Sequence, residues 1–144
     1  MNQARQAQVS LAMRRCALQA LYQMDAAQSS DPRLVGMVAD DGDAEDARTI
    51  ERGMGLAALA WEMRNQADAE VSELAKEWPP HRQPLVDRNL LRIGWYELRH
   101  TEEPPAKVIN DAVELAKEFG TADSGKFVNA VLDRMLKGDQ PAEA

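Results

Sequence analysis

An all-α fold is the class this sequence predicts, on three observations. Aromatic residues are only 5% of the chain while alanine and leucine are plentiful, which suits helices better than strands. Apolar residues recur at helical spacing in segment after segment, and none of these segments alternates in the way a half-buried strand would. Proline pairs and glycines then fall between the periodic segments, where helices should stop. Together these give about six or seven helices in one domain spanning the 144 residues.

The first helix is expected over about residues 8–27. Met13, Cys16, Ala17, Ala20, Leu21 and Met24 form one stripe, with Arg14, Arg15, Leu18, Gln19 and Tyr22 off it. Residues 28–46, QSSDPRLVGMVADDGDAED, read as an acidic flexible loop with a short helix around 33–38. A second helix is expected over about 44–67, where Gly53 and Gly55 weaken the helix but permit close approach of a neighbour. A shorter helix follows over about 68–78, on Val71, Leu74, Ala75 and Trp78, and Pro79-Pro80 ends it. The segment of about 83–99 carries Pro84 in its first turn and apolar residues around most of its circumference, so it should be central, with Arg88, Arg92 and Arg99 emerging at its edges. Thr101 to Pro105 breaks the chain before a helix over about 105–119. Gly120 should end that helix with positive φ, and Asp123 or Ser124 should cap the last one, over about 124–137.

Composition narrows the function classes. The lone Cys16 lies on the apolar stripe and permits no internal disulfide, which fits a reducing, cytoplasmic setting. No apolar run approaches the roughly 18 residues of a membrane span, and the N-terminus has no signal core. The net charge of −7 speaks against non-specific nucleic-acid binding. Its distribution is uneven: residues 1–24 hold Arg5, Arg14 and Arg15 and no acid, whereas residues 25–80 hold 13 acids against 5 bases. A local basic face can therefore still meet phosphates. His81 and His100 stand alone, the acidic run DDGDAED lacks EF-hand spacing, and no nucleophile–base pair stands out, so neither a metal, a cofactor nor a catalytic site is expected.

The stretch GTADSGKF, Gly120 to Phe127, nearly matches a phosphate-binding loop. A helix rather than a strand precedes it, however, and Phe127 stands where a hydroxyl residue would hold magnesium. The stretch reads instead as a tight turn that places Lys126 in the first turn of a helix, where backbone N–H groups and the helix dipole favour a phosphate.

At these residues the chain resembles a family. LLRIGWYEL, the PP…VINDAVELAK…FG run and the SGKFVNAVLD run, in order and at matching spacing, look like NusB, the bacterial transcription antitermination factor, and RRCALQALYQMD resembles its first helix. The resemblance implies two small helical bundles packed together and no enzymatic activity. It implies pairing with the ribosomal protein NusE, recognition of boxA RNA on nascent ribosomal RNA transcripts, a place in the transcription elongation complex, and, as in some relatives, a homodimer as an alternative assembly. Carried over by position, the RNA face would include Arg5, Arg14, Arg15, Tyr22, Asp123, Lys126 and Phe127, and the NusE face Asp87 and Arg92. One departure matters. The family usually has an arginine cluster just before the first helix, where this chain reads Ser10-Leu11-Ala12. Fewer phosphate contacts mean weaker RNA binding that depends more on the partner. The alternative is a protein-binding helical module with weak or no autonomous RNA binding.

Overall fold

The structure, a computed structural model, describes residues 3–31 and 47–138, with side chains described from residue 10 onward. Among these residues every regular element is helical: six α-helices and a 3₁₀ turn. The chain divides into two compact units, Met1–Glu62 and Met63–Ala144.

The first unit pairs α1 (Gln3–Ala27) with α2 (Ala47–Glu62). The whole predicted stripe of α1, from Met13 to Met24, is buried. Leu18, off that stripe, is buried as well, whereas Tyr22 is 41% exposed. On α2, Gly53 is where the helices come closest. A Cβ added there would stand 2.7 Å from both the Cys16 Cβ and the Met13 carbonyl oxygen. Gly55 faces open space, so only one of the two glycines serves the contact. Helix α1 ends in a Schellman arrangement, with Ser29 N–H donating to Met24 O and Gln28 N–H to Asp25 O. That end needs a left-handed residue, and Gln28 supplies it with φ 53°. Its side-chain amide donates back to the Asp25 carbonyl at 2.6 Å. Of the acidic loop expected at about 28–46, residues 32–46, with the short helix around 33–38, lie outside the described residues.

The second unit contains α3 (Arg64–Leu74), a 3₁₀ turn (Pro80–Arg82), α4 (Leu85–His100), α5 (Pro105–Phe119) and α6 (Ser124–Lys137). Helix α4 is central and packs on α3, α5 and α6. Leu90, Leu91, Ile93 and Trp95 of α4 are buried, as are Val108, Leu115 and Ala116 of α5 and Val128, Val131, Leu132 and Met135 of α6. Gly94 lets α6 come close, since a Cβ there would meet Leu132 Cδ2 at 2.7 Å.

Four expectations are corrected. The helix break falls at Met63 rather than near residue 67, and α3 stops at Leu74, well before Pro79. The early stop has a tertiary cause: Arg134 of α6 donates to the freed Leu74 carbonyl at 2.6 Å, replacing the hydrogen bond that further helix would have made. Pro84 precedes α4 as its N-cap instead of sitting inside its first turn. Gly120 has φ −100° and ψ −162°, an extended conformation open to any residue. Glycine is needed there for space, because a Cβ would approach Ser124 Oγ to 2.5 Å.

Candidate nucleic-acid interface

The turn between α5 and α6 is held from beneath. Ser124 Oγ accepts the Thr121 N–H at 2.9 Å and donates to Asp87 Oδ1 of α4 at 2.7 Å. Both Ser124 and Asp87 are almost fully buried. Burial pushes the Asp87 carboxyl above the ordinary aspartate range, and the Ser124 hydrogen bond partly opposes that rise. The expected cap is therefore different in kind. Asp123 makes no side-chain capping bond, and Ser124, the first residue of α6, ties the turn to the central helix instead. Asp123 and Lys126 are left exposed on the surface of this turn, with Phe127 half-buried beside them. Lys126 sits in the first turn of a 14-residue helix, where the dipole and free N–H groups favour an anion.

Arg92, expected at an edge of α4, is only 5% exposed. Its guanidinium grips Asp68 of α3 through Nε at 2.9 Å and Nη2 at 2.7 Å, and donates to Asn89 Oδ1 at 3.0 Å. Asp87 and Arg92, the expected partner-binding pair, thus both point into the second unit. A fork-to-fork pair of this kind orients two helices as well as joining them. A second link lies one turn on. Glu70 accepts from Trp95 Nε1 at 2.8 Å and from Arg99, whose guanidinium holds its carboxyl below the usual glutamate range despite burial.

In the first unit, Arg14 is 2% exposed and donates to Ser10 Oγ at 2.5 Å, so a residue off the apolar stripe is nonetheless buried. Arg15 is half-buried and Tyr22 exposed. Arg5 lies within α1, ahead of the described side chains. Cys16 is buried, and burial raises its thiol pKa, in line with a core role. Among the described residues no group of three or more His, Cys, Asp or Glu side chains is placed to hold a metal, and no helix is long and apolar enough to cross a membrane.

Sequence reasoning passed over one exposed feature. Trp78, expected on the apolar side of α3, is 41% exposed in the segment after that helix. It lines a cleft of about 500 Å³ with Phe127 and Arg134 of α6. The signal was available, because two prolines immediately after a tryptophan leave little helix to bury it.

The profile of the NusB family matches residues 11–137, nearly the whole described chain. The chain belongs to the NusB family. A transcription antitermination protein NusB from Symbiobacterium thermophilum is 37% identical over 139 residues, covering 87% of each chain. A solved NusB structure from T. maritima superposes with a TM-score of 0.77 at 32% identity, covering 88% of this chain and 89% of that one. A crystal structure of the antitermination factors NusB and NusE in complex with dsRNA matches with a TM-score of 0.78 at 27% identity, over 90% of this chain and 97% of its counterpart. Relatives of this kind are antitermination proteins rather than enzymes, as the resemblance implied.

Proposed function

We propose that this NusB-family transcription antitermination factor is an RNA-binding adaptor. In that reading it pairs with the ribosomal protein NusE and, with it, engages boxA-type RNA on ribosomal RNA transcripts in the cytoplasmic elongation complex. The observation that carries the reading is the exposed Lys126, set beside Phe127 on a turn that Asp87 and Ser124 hold in place. Lysine at a helix start suits a backbone phosphate, and an accessible aromatic ring suits an unpaired base. Tyr22 and Arg15 offer the same pairing of chemistries on α1. Asp123 flanks Lys126 and would orient rather than attract the RNA. Arg14 enters as a support of α1, and Asp87 and Arg92 as supports of the α4 edge offered to NusE, because all three are buried.

Two features favour a second reading, a protein-binding module with little RNA affinity of its own. Residues Ser10, Leu11 and Ala12 lack charge, and Arg14 is buried. One titration separates the readings: boxA-type RNA against this protein, alone and with its NusE homologue, across a salt series. The adaptor reading expects the heterodimer to prefer that RNA to a scrambled sequence, with affinity falling as salt rises by a slope of about 0.7 per phosphate neutralised. It also expects Lys126→Glu to weaken RNA binding and leave NusE binding intact. Equal binding of boxA-type and scrambled RNA by the heterodimer would sink it in favour of the second reading.

A further inference from the structure

The cleft between the end of α3 and α6 has the makings of a base-binding surface. Trp78 forms one wall and Phe127 contributes to the other. The indole is exposed on an anchored stretch of chain: the Trp78 main-chain N–H donates to Ala75 O at 3.0 Å, and its main-chain carbonyl accepts from Gln83 Nε2 at 2.9 Å. The Arg82 guanidinium lies over the ring, 5.2 Å from its centroid. A large aromatic on an anchored backbone, with a guanidinium over its ring, loses less freedom when a flat ligand settles on it than a side chain on a mobile loop would. The charges in the lining offset one another, Glu73 and Glu77 against Lys76 and Arg134. That balance suits an uncharged ring more than a phosphate run. The excess cations stand at the margins: Arg82 at Trp78, and Lys126 next to Phe127 at the head of α6.

We infer that Trp78 is a stacking platform for an unpaired RNA base, extending along the cleft the contact that Lys126 and Phe127 begin. The inference rests on the RNA-adaptor reading and adds a subsite to it. Arginine over one part of an indole and a base on another is a combination that single-stranded RNA surfaces use, because stacking tolerates any base while the cation meets the adjoining phosphate. The acidic side chains in the lining limit the phosphate share, so the subsite should respond to loss of the ring more than to salt.

The chain carries its own reporter. Trp61 and Trp95 are buried at 8% and 6% exposure, leaving Trp78 as the accessible one of the three tryptophans. Intrinsic fluorescence of the full chain with its NusE homologue is followed while unpaired boxA-type RNA is added, and binding is measured in parallel by anisotropy of labelled RNA. The expected result is saturable quenching that tracks binding. Trp78→Ala should abolish the quenching and weaken RNA binding about tenfold, while Trp78→Tyr retains most of the affinity. Thermal melts of both variants check that the fold survives. RNA binding that persists unchanged in Trp78→Ala, without quenching in the parent, overturns the subsite and leaves the adaptor reading standing. A loss of NusE binding with RNA binding intact overturns it too and makes the cleft a protein contact. If neither parent nor variants bind RNA, the adaptor reading fails and the subsite fails with it.

Discussion

The two units of this chain hold together by different means. In the first, α1 and α2 meet through small residues: Ala17, Ala20, Ala57 and Ala60 are buried, and Gly53 admits the backbone of α1 to contact distance. In the second, side-chain hydrogen bonds cross between helices, Arg92 to Asp68, Glu70 to Arg99 and Ser124 to Asp87. Close packing is unforgiving of added volume but indifferent to pH. Buried polar links tolerate small volume changes yet fail when a partner is deleted, since the group left behind has lost its water as well. The exposed Lys126 turn belongs to the second kind, which suits a surface that must hold one geometry.

Hydrogen exchange resolved by helix can test this contrast. The largest effect is expected for Leu132→Ala, which removes a fully buried side chain beside Gly94 and should cost about 2–5 kcal/mol in the second unit. Denaturant unfolding measures it, with protection lost in α4 and α6. Ser124→Ala should follow, at about 1–3 kcal/mol, because it strips the buried Asp87 of a donor. Exchange of the Thr121 amide, which Ser124 Oγ receives, should rise more than that of α5. An unchanged Thr121 amide would show that the turn does not depend on this link.

Next, two glycines only two residues apart on α2, about 3 Å along its axis, should respond with opposite signs. Gly53→Ala forces the α1–α2 seam open and should destabilise the first unit by about 1–3 kcal/mol. Gly55→Ala meets nothing and should stabilise it by about 0.5–1 kcal/mol through helix propensity. Thermal melts of the pair decide the matter, and equal shifts would refute the close-packing account.

The smallest effect is in pH dependence. Asp87, raised by burial, contributes stability at low pH that is lost as pH rises through its elevated value. Glu70, lowered by Arg99, contributes stability above the ordinary glutamate range that is lost as pH falls. Urea midpoints taken between about pH 3 and pH 7 should show Asp87→Asn removing the first loss and Glu70→Gln the second.

What could be read from the sequence follows the range of the forces involved. Helices α5 and α6 fall where their local signals place them, because Pro104-Pro105 and the Gly120 turn act within a few residues. The burial of the α1 stripe was equally legible, since it needs only a period. The end of α3 was not, because it depends on Arg134, 60 positions away. Nor was the inward aim of Arg92 and Asp87: their partners lie 24 and 37 positions distant, and a charged residue gives no local sign that it has one. Lys126 and Tyr22 stayed on the surface, where charge and an off-stripe position put them.

The small-residue seam has a practical corollary in Cys16. Its sulfur is enclosed between α1 and α2, 3.7 Å from the Ile50 carbonyl, and its thiol is disfavoured from ionising. Thiol reagents attack the thiolate, so labelling has to wait for the two helices to part. The chain holds no other cysteine. The labelling rate is thus a stopwatch for the opening of one helix pair, running while the four-helix unit beside it in sequence stays silent.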